Sequence, residues 1–494
     1  MTSKPPKFDA RSHEAKSLTL PDNLDPENWA EFRKAAHAML DKAMDRLESA
    51  HEGRTWTPVP EDMKAELNTA LPMTGTDYAD ITAQLEALMP YGPGNTHPRF
   101  FGWVNGAGAP SNLLAEIAGG AMNVNAGGRN HIAPVIEQQV IAWAAQIMGM
   151  PEQTSGLIVT GTSMATIVAL KAARDHYIKR QDMTQDALNA AEPCLIGYTS
   201  DQAHSCIGRA FDMLGICKNN LRKISCNADF EIDLKALKAQ IATDRKAGHI
   251  PFCIIGTAGA VNMGAIDDLD ELADICEQED LWFHVDGAFG AAGILAPQSR
   301  KRLTALSRVD SLAFDFHKWW QVNYDAGCVL IRDPLIHRQA FARRPEYLRS
   351  GDRGLWGGEF WAVDYGPELS RGFRALKVWT HLQTHGIDAI AAVVERNISQ
   401  AQYLQKHVEA EPKLEMLAPV PLNICCFRYK FDEDSDTKNT EIVIRLQESG
   451  IAAPSTTTLN GQTAIRVNIT NHRTREEDLD ILIKAVIENG DALA

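Results

Sequence analysis

The residue types best suited to chemistry meet in two runs, LWFHVDGAFGAAG with Asp286 and AFDFHKWWQVNYDAGCVLI with Lys318. An apolar stretch ending in His284, Val285 and Asp286 has the pattern of a buried parallel strand that delivers a carboxylate at its carboxyl end. A second apolar segment, 311–316, is followed by a histidine and then the lysine. A partly desolvated lysine can form a Schiff base with an aldehyde, and a buried carboxylate can keep a pyridine nitrogen protonated. Those are the two contributions a protein makes to pyridoxal-phosphate chemistry, and pyridoxal 5'-phosphate is the cofactor they predict. Either residue alone would read as a core-edge carboxylate or a snorkelling surface lysine, so the neighbouring motifs decide.

Three further segments place polar side chains just after apolar strands. VTGTSMATIVALKAARD puts Gly161, Thr162 and Ser163 where a strand turns into a helix, with Ser163 as the expected N-cap. Free N–H groups, the helix dipole and two hydroxyls there would cradle a phosphate. The GK[ST] ending of a nucleotide-binding P-loop does not follow. His204 in SDQAHSCIGRA has the shape to stack on a planar ring and to touch a substrate carboxylate, although a lone histidine is more often a structural hydrogen-bonding group. Thr257 in IIGTAGAVNMGAIDDL again follows an apolar strand, and the glycines beside it allow close backbone approach.

These residues need a scaffold of strands with aligned ends. Residues 1–90 read as a polar leader and helical stretches, with Ala36, Met39, Leu40, Ala43 and Leu47 at helical spacing within 29–51. The turn-rich YGPGNTHP then breaks the pattern. From 91 to 385, short β-rich runs (157–160, 194–198, 252–255, 282–285, 311–314) alternate with helical ones such as 163–175 and 268–277. That alternation predicts βαβ units, hence an α/β fold with a mostly parallel sheet covered on both faces. Residues 386–494, with the strands NICCFRY and AIRVNIT, read as a smaller α+β unit.

Composition narrows the function classes. The 494 residues exceed one ordinary core, and 45% hydrophobic with 23% charged residues is the balance of a globular protein. A formal net charge of −15 argues against nucleic acid and anionic membrane as partners. No apolar run is long enough to span a bilayer, and the polar start MTSKPPKFDARSHEAK makes a cytoplasmic location the expectation. The nine cysteines are scattered without a CxxC pair, which suggests reduced thiols rather than a disulfide framework. No metal site is expected, since neither HExxH nor a Cys/His cluster occurs.

Taken together, HPRFFGWVNGAGAP, NAGGRN, EQQVIAWAAQIMGMP, the ordered pair HVDGAFG and FDFHKWW, and AIRVNITNHRTREEDLD resemble the group II pyridoxal-phosphate-dependent amino acid decarboxylases over roughly residues 95–490. That family includes the aromatic-L-amino-acid decarboxylases. The resemblance implies fold type I architecture with a smaller C-terminal domain, a homodimer with active sites near the subunit interface, and conversion of an L-amino acid to an amine and carbon dioxide. It implies that Lys318 carries the cofactor as a Schiff base and that Asp286 pairs with the ring nitrogen. His204 and Ala288 would flank the ring faces. Thr162, Ser163 and His317 would bind phosphate, and Thr257 would lie near the ring oxygen. Tyr347, in RRPEYLRSG, would protonate the substrate carbon from a mobile loop. Arg371 and Arg374, in LSRGFRALKVW, match a further family motif for which salt bridging is at least as apt as substrate contact.

The chain also departs from the family pattern. Met164 stands where many relatives have glutamate, Ala260-Val261 replaces a common threonine pair, and Trp103, Val104 and Gly106 differ from the aromatic-substrate pocket of the animal enzymes. The cofactor expectation survives these changes, whereas the substrate stays open. An aldehyde synthase or another lyase on the same scaffold, and an inactive binding protein, are the rival readings.

Overall fold

The computed structural model describes residues 23–181, 194–343, 351, 353–358 and 360–494. Seven strands form one sheet: β1 (Ser155–Val159), β2 (Leu195–Ser200), β3 (Leu221–Ile224), β4 (Ile250–Thr257), β5 (Trp282–Asp286), β6 (Ser311–Asp315) and β7 (Gly327–Ile331). Their order is β1-β7-β6-β5-β4-β2-β3. Strands β2 to β6 run parallel, and β7 is antiparallel to both its neighbours. Ile254, Ile255 and Val285 are completely buried, as in a sheet covered by helices on both faces. The α/β, mostly parallel expectation agrees with this sheet. It lacks two of the strands, the short and partly charged β3 and the antiparallel β7. The connection 316–326 before β7 is too short for a crossover helix, so the chain can only turn back on itself.

Register brings the strand ends level. Thr257 lies beside Asp286 and Asp286 beside Ala313, so β4, β5 and β6 present their carboxyl ends together. On the far side, Gly327 pairs with both Asp315 and Val159. A Cβ on Gly327 would collide with the backbone of Gly161, so glycine is what lets the turn after β1 approach β6. That approach allows Asp315 Oδ1 to accept a 2.7 Å hydrogen bond from the Thr162 N–H. The helix Thr162–Arg180 has Gly161 as its N-cap and no side chain of its own capping it. Ser163 therefore lies in the first turn and is not the cap. A carboxylate delivered by another strand does that work, which no local pattern reveals.

Four more strands, β8 (Leu414–Met416), β9 (Ile424–Tyr429), β10 (Ser455–Leu459) and β11 (Gln462–Asn468), form an antiparallel sheet in the order β10-β11-β9-β8. Alternation along β9 sends adjacent cysteines opposite ways. Cys425 packs with Phe427 and Val467 in the small core, whereas Cys426 faces the large one, its Sγ 3.2 Å from Asn262 O. None of the nine cysteines forms a disulfide. The helix Arg374–Ala410 links the two sheets and breaks its helical path at Gly386 (φ 70°). The helices Trp29–Glu48, Glu61–Leu67 and Tyr78–Leu88 bury none of their residues. Among the described residues, no helix is long and apolar enough to cross a membrane.

Buried charge and buried imidazole set conditions on stability. Arg371, 4% exposed, grips Glu137 through two contacts of 2.6 and 2.7 Å, and Glu137 also accepts from Ile158 N–H. Removing either partner would strand a buried charge at a cost of about 3–5 kcal/mol. Arg374 pairs with Asp325 and Glu368. His284, His337 and His381 are buried as neutral rings, and desolvation depresses them to about 3, 3 and 4. In the unfolded chain they would take up protons near the ordinary histidine range, so their contribution is complete above about pH 6.5 and is lost as pH falls toward the folded values. Each loses up to about 2 kcal/mol between pH 6.5 and 5. Asp267, pushed up to about 6 by burial, acts in the opposite sense and offsets part of this. Urea unfolding should accordingly show stability declining from pH 7 to pH 5; a flat or rising profile would contradict the neutral-ring assignment.

Candidate active site

The level strand ends gather one cavity. The turn after β1 supplies Thr162 and Ser163, the segment after β2 supplies His204, and β4 ends in Thr257. Strand β5 ends in Asp286, with Ala288 two residues on, and the turn after β6 carries His317 and Lys318. All of these line a pocket of ≈ 400 Å³. Tyr347 lies outside the described residues. Arg371 and Arg374 do not line the pocket; their partners are the carboxylates already given.

Within the pocket, charge is concentrated on three side chains. Lys318 Nζ lies 2.7 Å from Asp315 Oδ2, and the two side chains are 22% and 2% exposed. Asp286 Oδ1 accepts from the Ala288 N–H at 3.0 Å, and its Oδ2 faces Cys206 Sγ at 3.8 Å. Burial pushes the Asp286 carboxyl up, against the pull of the nearby Lys318 charge. A second cation placed in the pocket would return it to the ionised form. His317 accepts from the Ala326 N–H through Nδ1 and packs on the Tyr324 ring at 4.3 Å between centroids. Burial holds its imidazole below the ordinary range. The exposed His204 accepts from the Cys206 N–H through Nδ1, which leaves Nε2 as donor in the neutral ring.

One wall is pinned from the small sheet. Trp103, in the left-handed region at φ 46°, has its carbonyl held by Arg466 Nη1 at 2.8 Å and Asn468 Nδ2 at 2.7 Å. Arg466 also donates through Nε to Val261 O at 2.9 Å, so β11 ties together two pocket-lining segments. A bulky residue keeps such a backbone conformation only where its surroundings over-determine it. The Arg466 guanidinium is surrounded by carbonyls, and burial lowers it to about 10.

Four pocket residues carry no clear signal in the sequence pattern: Asp315, Cys206, Asn105 and Tyr324. Of these, Asp315 is the one that spacing could have found, since it precedes Lys318 by three residues and one tight turn brings such a pair together. Tyr324 donates to Asn105 Oδ1 at 3.2 Å, a contact across the sequence that nothing local announces.

The donor set suits a phosphorylated pyridine. Thr162 Oγ1 and Thr257 Oγ1 are buried without a hydrogen-bond partner, the first at a helix start and the second beside Asp286. An orphaned buried hydroxyl costs about 1–3 kcal/mol, and a phosphate oxygen and a ring oxygen would satisfy these two. A buried carboxylate awaiting a cation and an amine on the same cavity complete the match to pyridoxal phosphate. Among the described residues, no group of three or more His, Cys, Asp or Glu could hold a metal ion.

Known proteins agree with this chemistry. Residues 60–430 match the family described as the pyridoxal-dependent decarboxylase conserved domain. The chain is 32% identical over 464 residues to the aromatic-L-amino-acid decarboxylase of Bacillus atrophaeus, covering 92% of this chain and 94% of that one. Its fold superposes on the Oryza sativa TDC crystallised with PLP and tryptamine, with a TM-score of 0.87 at 24% identity over 95% of this chain and 100% of that one. It superposes comparably on the Rhodiola rosea 4-hydroxyphenylacetaldehyde synthase, with a TM-score of 0.84 at 23% identity over 95% and 99% of the two chains. The last two likenesses establish the fold alone. With the family match spanning most of the chain, this protein belongs to the pyridoxal-dependent decarboxylases and is a carboxy-lyase that uses pyridoxal phosphate to remove carbon dioxide from an amino acid.

Proposed function

We propose that the substrate is an L-amino acid with an uncharged side chain and that the pocket residues divide the work as follows. The observation that carries this reading is the meeting of Lys318, Asp286 and two orphaned hydroxyls in one cavity of ≈ 400 Å³. Pyridoxal phosphate, when bound, supplies the electron sink for the pair left on the α-carbon as carbon dioxide departs. Lys318 is the attachment point. The Asp286 carboxylate keeps a proton at the ring nitrogen, a preorganised charge that costs no rearrangement at the moment of reaction. Thr162, Ser163 and the helix N-terminus bind the phosphate with help from His317, and Thr257 meets the ring oxygen. His204 and Ala288 would flank the ring, and His204 would orient the substrate carboxylate for its departure. Tyr347 returns a proton to the α-carbon.

The side-chain preference rests on what else lines the pocket. Apart from Lys318, Asp286, Asp315 and the two histidines, its described residues are neutral, and Trp103, Val104, Val261 and Phe289 make an apolar wall. An unpaired charge brought by a substrate would be desolvated there without a partner. Incubating the holoprotein with each of the twenty amino acids should release carbon dioxide and amine in equal amounts, with uncharged side chains preferred over glutamate, aspartate and lysine. Asp286→Ala should keep its fold and lose about 10²–10³-fold in rate. Oxygen consumed in step with carbon dioxide would mean an aldehyde-forming enzyme instead, and a charged preferred substrate would refute the reading of the wall.

The homodimer is part of this proposal. The three N-terminal helices bury none of their residues, and Trp29, Leu114 and Ile117 are 54%, 65% and 55% exposed. Apolar surface of that kind is usual where a second copy packs. A cytoplasmic location is consistent with nine cysteines that form no disulfide. Sedimentation equilibrium should give twice the chain mass at micromolar concentration; a stable monomer would contradict the dimer.

A further inference from the structure

Lys318 does not stand free on the pocket wall. Asp315, 1% exposed, puts Oδ2 2.7 Å from its ammonium and Oδ1 2.7 Å from the Thr162 amide nitrogen. The His317 Nε2 lies 3.7 Å from the same Oδ2. One carboxylate therefore touches the amine, the start of the helix Thr162–Arg180 and an imidazole. Other groups act on Lys318 from each neighbouring element. Asp286 faces it from the end of β5, Tyr324 from the connection to β7, and Cys206 from the helix after His204. His204 and Asp325 lie one step further, against Asp286 and His317 respectively. Burial works against the lysine's charge, yet the two carboxylates outweigh it and raise Lys318 above the ordinary lysine range.

We propose that Asp315 is a charge latch on Lys318, holding it as an ammonium against the helix start, so that cofactor loading waits on release of this pair. The inference rests on Lys318 being the attachment point. Condensation with an aldehyde needs the nitrogen lone pair, so the ammonium must first give one proton to solvent. The nitrogen then bonds to the aldehyde carbon, and the aldehyde oxygen leaves as water with the two remaining hydrogens of the amine. No oxidant or reductant enters. Asp315 is a positioning residue in this step, because it acts through the protonation and placement of Lys318. A partner of opposite charge at this distance moves a pKa by about 1–3 units, so the reactive amine fraction should change about 10- to 10³-fold when the charge is removed.

Asp315→Asn isolates that charge, since the amide oxygen can still accept from the Thr162 N–H. The full-length protein, stripped of cofactor, would be mixed with pyridoxal 5'-phosphate or with pyridoxal, and adduct formation followed by absorbance from pH 6 to 10. Loading of the unaltered protein should rise with pH across this range. The Asn variant should have its profile displaced to lower pH and should load at least about 10-fold faster at pH 7 with both aldehydes. An unchanged profile or slower loading overturns the latch. Acceleration with the phosphorylated aldehyde alone also overturns it, because relief of repulsion on the phosphate would then be the cause. A Lys318→Ala control separates attachment from latching. An adduct that persists there refutes the attachment point, whereas an adduct lost there alongside an unshifted Asn profile refutes the latch alone. Should the Asn variant fail to fold, competitive acetylation of the unaltered apoprotein, read residue by residue in a mass spectrometer, tests the same pair. Lys318 should react with a pH midpoint above that of exposed lysines, and a midpoint below theirs overturns the proposal.

Discussion

The structure turns on the cost of keeping three charges at the edge of a core. Asp286 and Asp315 are 4% and 1% exposed, and among the described residues lining the pocket Lys318 is the one lysine or arginine set against them. Two buried carboxylates against one ammonium leave the pocket short of positive charge, in surroundings where unpaired charge is expensive. A protonated ring nitrogen at Asp286, as proposed above, would supply what is missing. On that assignment the site would suit a ligand that brings its own cation to Asp286, which is the same demand the decarboxylation makes of the ring.

Meeting that demand requires the strand ends to be level, and the sheet does this through register rather than through loops. Thr257, Asp286 and the end of β6 share one edge because β4, β5 and β6 are parallel neighbours. The antiparallel β7 inserts between β6 and β1, and the lack of a side chain at Gly327 lets the turn after β1 close on Asp315. The small sheet contributes from behind, where Arg466 and Asn468 hold the Trp103 carbonyl and so fix the apolar wall. On the proposed assignment, cofactor chemistry belongs to the large sheet, while the small sheet fixes a wall of the substrate's pocket.

Much of this was legible in the sequence because parallel strands write their function at their carboxyl ends. His284-Val285-Asp286 and the run before Lys318 are apolar stretches that stop at a polar residue, and such stops mark where a buried strand meets a site. What the sequence concealed was contact between elements. Ser163 has the chemistry of a cap, but the cap comes from Asp315 on a different strand, and local propensity cannot register a competitor that folding brings in. Strand β3 carries Arg222 and Lys223 at the sheet's edge, where burial on both faces is not demanded and the apolar signature fades. The Tyr324–Asn105 contact joins two pocket-lining segments across a long sequence separation.

The central claim is that the amine at Lys318 is the one that engages the cofactor. Borohydride reduction of the purified holoprotein, followed by proteolysis and peptide mapping, tests it directly. A single pyridoxyl label is expected, on the peptide containing Phe316-His317-Lys318. A label on a different lysine, or no label in a fully reconstituted sample, would contradict it.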